Sequence, residues 1–161
     1  MQFKIYTDGS CSGNNRDSEC PGGWAYIVFD HSGTKILEGS GSNPSTTNNI
    51  MELFAAYNGI KKLIDELNLN WESSKIHDCL IITDSRYLCD NFEDYLEDWK
   101  KNGWRKRNGS LVANKSYWKM IDTLTPELKS IRFQWIKAHH RDKHNIMVDE
   151  MAQAMSKKPK P

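Results

Sequence analysis

The chain has 161 residues, with 22 Lys+Arg against 21 Asp+Glu and a formal net charge of +1. That length fits one domain with a sizeable core, and the ordinary apolar and charged fractions are those of a soluble globular protein. No apolar stretch approaches the roughly 20 residues a membrane-spanning helix needs, and the balanced charge gives no global pointer to nucleic acid. The N-terminus opens directly on a strand-like pattern, so no signal peptide is expected. Cysteines at 11, 20, 79 and 89 show neither C-x-x-C spacing nor His partners at zinc-site intervals. They read as reduced thiols of a cytosolic protein, with the sequons at Asn108 and Asn114 as chance matches.

Residues 2–7, 23–30 and 34–40 read as three strands, the last two joined by a hairpin turn at Asp30-His31-Ser32-Gly33. Thr46-Thr47-Asn48-Asn49 offers a cluster of N-cap residues. Leu53, Tyr57, Ile60, Ile64 and Leu67 then recur at helical spacing, which predicts a helix over 49–68. Its face bearing Glu52, Ala56, Gly59 and Leu63 is small at the centre, so the helix can lie close to a sheet. The continuous apolar run at 79–83 has the character of a central parallel strand covered on both faces. Short helices over 85–101 lead into a basic, Gly-containing excursion at 102–112. A helix over 115–123, punctuated by Pro126, precedes a strand at 131–136. Val148, Met151, Ala152 and Met155 mark a C-terminal helix, and the tail from Lys157 reads as disordered. The order predicts an α/β fold: an antiparallel meander extended by crossover helices into parallel strands. Sites in such sheets form beyond the strand ends, at a topological switch point.

Four acids fall where these elements begin or end. Asp8 closes the first apolar run and opens the Gly-rich segment Asp8-Gly9-Ser10-Cys11-Ser12-Gly13-Asn14. Asp84 closes the run Leu80-Ile81-Ile82-Thr83. Glu52 and Asp149 are each expected in the first turn of a helix. Carboxylates gathered at the ends of buried elements repel one another and lose hydration, which a divalent cation between them relieves. Hard oxygen ligands suit magnesium or manganese rather than zinc. Each acid also has an ordinary structural reading. Asp8 could make an Asx-turn into Gly9, Glu52 could complete a capping box with Asn49, and Asp149 could answer the helix dipole. Asp84 has little such excuse.

Thr7-Asp8-Gly9-Ser10-Cys11, Thr46-Thr47-Asn48-Asn49-Ile50-Met51-Glu52-Leu53, Thr83-Asp84-Ser85, Trp99-Lys100-Lys101-Asn102-Gly103-Trp104, Lys137-Ala138-His139 and Asn145 through Glu150 together resemble the ribonuclease H family, of the small cellular type. The segments come in order and span essentially the whole domain. The resemblance implies a ribonuclease H-like fold with a mixed five-stranded sheet flanked by helices, as a catalytic domain over 1–156 with a basic tail at 157–161. It implies endonucleolytic hydrolysis of the RNA strand of an RNA–DNA hybrid, leaving 5′-phosphomonoesters. Asp8, Glu52, Asp84 and Asp149 would hold two magnesium ions, with manganese as a substitute. His139 would assist turnover, with His140 competing for that role. Two-metal chemistry accounts for the number of carboxylates.

The same resemblance assigns the substrate surface. Cys11, Asn14, Thr47, Asn48, Asn49 and Arg86 would face the minor groove, where amides meet 2′-hydroxyls and base edges. The stretch 99–107 holds five basic residues, two tryptophans and no acid, whereas Asp90–Asp98 holds five acids and no base. A charge run is usually a solvated face, and Glu97 to Lys101 is a favourable i,i+4 pair. By resemblance this segment holds the DNA strand: Lys100, Lys101, Arg105, Lys106 and Arg107 on phosphates, Tyr95 or Trp99 against a deoxyribose, Trp104 beside them. Trp118 reads as core. The chain departs from the family pattern in residues 15–19, which lengthen a tight turn, and in its acidic helix before the basic excursion. Two other readings are a DNA nuclease or strand-transfer enzyme of the same fold, and a silent hybrid-binding domain that would be expected to have lost an acid. A cytoplasmic monomer without membrane association completes the expectation.

Overall fold

Alternating side chains in the first strand give the sheet its two buried faces. In β1 (Gln2–Cys11), Phe3 and Ile5 join Tyr26 and Val28 on one face, under the long helix; Tyr6 lies on the other with Ile27 and Phe29. The structure, a computed structural model, describes residues 1–13, 20–138 and 142–157. Strands β2 (Cys20–Phe29), β3 (Lys35–Thr46), β4 (Asp78–Thr83) and β5 (Ser130–Trp135) complete a five-stranded sheet in the order β3-β2-β1-β4-β5. The β3-β2-β1 part is antiparallel and the β1-β4-β5 part parallel, the mixed sheet expected.

Helix α1 (Asn48–Asn70) packs on the face of Phe3 and Ile5 through Leu53, Ala56, Ile60 and Leu63. A Cβ on Gly59 would stand 2.9 Å from the Ile5 side chain, so the small centre of this helix does permit a close approach. Thr47 caps the helix, its hydroxyl accepting from the Ile50 N–H at 3.2 Å. The segment after β4 forms α2 (Arg86–Asp90), a π-helical turn (Asn91–Tyr95) and α3 (Leu96–Lys101). Helix α4 (Lys115–Leu124) supplies Trp118 and Ile121 to the same core. Helix α5 (Lys143–Ser156) covers the opposite face, setting Val148 against Ile27 and Phe29.

Several boundaries differ from those expected. β1 runs on to Cys11, and β3 to Thr46, so the Gly-rich segment from Asp8 is strand rather than turn as far as residue 11. Glycines there serve close approach. A methyl group on Gly9 would overlap the backbone of Met51 and Glu52. Helix α5 begins at Lys143, capped by Asp142, which places Asp149 beyond its first turn; Glu52 likewise lies beyond the first turn of α1. The helix-dipole reading of Asp149 and the capping-box reading of Glu52 both fall with those positions.

Candidate active site

The sheet opens at one end because β1 has two neighbours of different reach. It pairs with β2 from Lys4–Phe29 through Asp8–Ala25 to Cys11–Gly22, but with β4 only as far as Tyr6–Ile82. Two residues further along that parallel register stand Asp8 and Asp84, at the mouth of the split. Helix α1 crosses the split from one face. Gly9, lacking a side chain, lets the helix come close, and its N–H bonds the Glu52 carboxylate. Ligand oxygens of Asp8, Glu52 and Asp84 thus lie within 4.8 Å of one another. From the other face α5 brings Asp149, which shares a hydrogen bond with Asp8 and accepts another from Gln153 at 3.0 Å. The four acids therefore come from β1, the residue just beyond β4, α1 and α5. Asp8 sits in mid-strand, paired to Ala25, and not in an Asx-turn.

Asp8 and Glu52 are 3% and 7% exposed, so water screens neither charge. Burial pushes the Asp8 carboxyl up to about 11, helped by the Glu52 charge, the hydrogen bond with Asp149 and the charges of Asp84 and Asp149. Glu52 is held well above the usual carboxylate range, by burial first and the Asp84 charge next; the Gly9 N–H opposes this. One oxygen of Glu52, Oε1, is buried with no hydrogen-bond partner. An orphaned oxygen beside two more carboxylates fits a hard divalent cation, which would supply the missing partner and reverse the cost of ionisation. The residues fit the metal that the sequence implies.

Around this cluster the expected substrate residues divide. Thr47, Asn48 and Asn49 form the start of α1, with both asparagines exposed and the Thr47 hydroxyl already used as the cap. Arg86 is exposed at the first position of α2, its guanidinium 4.1 Å from the centre of the Trp135 ring. Asn14, His139 and His140 lie outside the described residues. Cys11 is bonded to Cys20 as a disulfide, which corrects the reading of all four cysteines as reduced thiols. The extra length of β1 and β2 brings the two Cα atoms to 5.8 Å, within bonding reach, although nine positions separate them in sequence. Cys79 and Cys89 are free and buried, their thiols pushed up by burial.

The basic excursion lines a groove to which none of the four carboxylates contributes. Gly103 and Trp104, with φ of 65° and 63°, turn the chain out of α3, and a bridge between Arg105 and Leu111 closes the loop. The groove, of about 530 Å³, is lined by Tyr95, Asp98, Asn102, Arg105, Lys106 and Arg107, among others. Tyr95 is 52% exposed and stacks on Trp99, which is buried against Trp118. Of the two aromatic candidates, Tyr95 is the one with a free face. Trp104 packs partly against the core beneath Lys119. Lys101 is exposed, whereas Lys100 is engaged by Asp122 at 3.0 Å and Glu97 at 3.4 Å. The i,i+4 pairing expected for Glu97 is thus made one residue earlier. Arg107 lies 3.7 Å from Asp98. Trp135, not singled out in the sequence, donates its indole N–H to the Asp84 carbonyl at 3.1 Å. No local pattern marks it, because the contact depends on the register of β4 against β5.

The family description "RNase H" matches residues 1–157. Among curated relatives, the Ribonuclease H of Prochlorococcus marinus (strain NATL1A) is 42% identical over 151 residues, covering 94% of this chain and 85% of the relative. That of Legionella pneumophila (strain Lens) is 36% identical, covering 94% of each. Among solved structures, LC9-RNase H1, described as a type 1 RNase H with the type 2 active-site motif, superposes with a TM-score of 0.76 at 24% identity, covering 96% of this chain and 72% of that one. LC11-RNase H1 in complex with an RNA/DNA hybrid superposes with a TM-score of 0.67 at 20% identity, covering 94% of each.

Proposed function

The chain belongs to the ribonuclease H family and is an endoribonuclease; from that premise we propose that it hydrolyses the RNA strand of RNA–DNA hybrids with two magnesium ions, for which manganese substitutes. The observation that carries this reading is the Asp8–Glu52–Asp84 cluster, with Asp8 and Glu52 buried, Asp84 half-buried and one Glu52 oxygen unpartnered, in a chain of this family. Asp8, Glu52, Asp84 and Asp149 are the proposed ligands. Bound divalent ions there would acidify an attacking water and neutralise charge on the leaving 3′-oxygen. The protein's own contribution is to hold the acids at fixed separation, Glu52 through the Gly9 N–H and Asp149 through Gln153. His139 is the proposed proton carrier for product release, leaving a 5′-phosphomonoester.

Asn48, Asn49 and Arg86 are proposed to read 2′-hydroxyls and base edges of the RNA strand, with Cys11, Asn14 and Thr47 shaping that side. Tyr95, Lys101, Arg105, Lys106 and Arg107 are proposed to hold the DNA strand, with Lys100, Trp99 and Trp104 behind them. Residues 1–156 would be the catalytic domain and 157–161 a basic tail. The reading includes a monomer acting in the cytoplasm. Thiol pools there would keep Cys11–Cys20 open, so assays with and without a dithiol reductant compare both states.

The test is cleavage of an end-labelled hybrid in magnesium, beside duplex DNA and duplex RNA. Cutting confined to the RNA of the hybrid is expected. Equal cutting of duplex DNA would favour the DNA-nuclease reading, and tight binding without cleavage the silent domain.

A further inference from the structure

We infer that Trp135 is a positioning residue that sets both the Asp84 carboxylate and the Arg86 guanidinium at the mouth of the site. The inference rests on the proposed substrate and ligand set. Trp135 ends β5, directly opposite Thr83 in the β4 register. Its indole N–H is bonded to the carbonyl of Asp84, the first residue beyond β4. The same ring lies under Arg86, two residues on. One side chain therefore grips the main chain of a proposed metal ligand and the cation of a proposed RNA contact.

The surroundings show why such a grip matters. The link from β4 to α2 is held from behind by Thr83, whose hydroxyl accepts from the Ser85 N–H at 3.0 Å, and by Ser85, which caps α2. Neither bond reaches forward to the Asp84 carbonyl. Arg86 is exposed on the first position of α2 and, among the described residues, makes no ion pair. A long cation in that position would sample many rotamers if unsupported. The flat indole, 4.1 Å from the guanidinium carbon, gives it a surface to rest on and so narrows those rotamers. Trp135 is 38% exposed, which is little burial for a residue that serves only the core.

Two variants separate the two contacts. Trp135→Phe keeps an aromatic face and removes the N–H. Trp135→Leu removes both. Magnesium or manganese binding, measured by calorimetry without substrate, is expected to weaken about two- to tenfold in both variants, the range for a lost hydrogen bond. KM for hybrid should stay near wild type in Trp135→Phe. In Trp135→Leu it should rise about two- to fivefold, the range for an exposed cation–aromatic contact. Combining Trp135→Leu with Arg86→Ala should add nothing to the KM of Arg86→Ala alone. Far-ultraviolet circular dichroism checks that both variants fold. Unchanged metal binding in both variants would overturn the Asp84 half of the inference. KM effects that multiply in the double variant, or a KM raised equally by both single variants, would overturn the Arg86 half. A wild-type protein that neither binds nor cuts hybrid would instead sink the substrate reading, and the metal titration would still decide the role toward Asp84.

Discussion

Asp8 and Glu52 have their ionisation displaced upward, both by burial first, Asp8 next by the Glu52 charge and Glu52 next by the Asp84 charge, so the metal-free protein gains stability from protons. A carboxyl whose folded pKa exceeds its unfolded one contributes fully below the ordinary carboxyl range near 4. That contribution is lost as pH rises toward the Asp8 value of about 11. The metal-free protein should therefore melt at progressively lower temperature from pH 5 to pH 9, and magnesium should offset the fall. Asp8→Asn should flatten the profile and stabilise the metal-free protein at pH 8 by at least about 1.4 kcal/mol, the worth of one tenfold displacement of the equilibrium. Its cleavage should drop below about a tenth of wild type, since a charged ligand is lost. A melting profile as steep as that of wild type would refute the electrostatic account. Gly9→Ala tests the neighbouring contact. Its methyl group meets the backbone of Met51 and Glu52, so we expect a loss of about 1–3 kcal/mol in denaturant titrations, with cleavage impaired more than stability explains. All four acids were legible at this scale because each adjoins a strong periodic segment. Trp135 was not, since nothing near it in sequence distinguishes it from a strand residue.

Between α3 and α4 the basic loop carries its charge unevenly. Lys100 is engaged by Asp122 and Glu97, and Asp98 lies beside Arg107, whereas Glu93 turns away to Arg132 and the Phe133 N–H. The acids that precede the loop are therefore only partly its antagonists. Neutralising Lys101, Arg105, Lys106 and Arg107 together should raise KM for hybrid while leaving the maximal rate nearly unchanged, because none of these side chains belongs to the proposed ligand set. The salt dependence of binding, measured in the Asp84→Asn background, should flatten by two or three phosphate contacts, about 0.9 log unit each. An unchanged slope would show a solvated loop. The elements themselves were largely visible in the pattern of apolar residues, α1 and β4 most clearly. Strand ends were not, because Gly9, Gly22 and Gly23 look like turn residues but serve as gaps into which neighbouring elements pack. The same miscount of β1 and β2 hid the Cys11–Cys20 pair. Closing that short loop should be worth about 2–3 kcal/mol, to be read as the stability difference between wild type and Cys20→Ser in the absence of reductant.

Across the whole molecule, the mixed sheet follows from the order of strands and helices, and the site from the one place where β1 outruns β4. That place could be anticipated as a switch point, but the parallel register that sets Asp8 beside Asp84 could not, because it depends on how far each strand extends. The placement of α5 has a further result. This helix covers the face of Ile27 and Phe29, and it delivers Asp149. It follows β5 and is the last of the described elements in chain order. While the earlier residues emerge and begin to pack, at about 5–20 residues per second, the proposed ligand set lacks its fourth member. A growing chain that has not yet released this helix thus holds only three of the four proposed ligands. On the proposed ligand set, cutting waits until α5 seals the sheet.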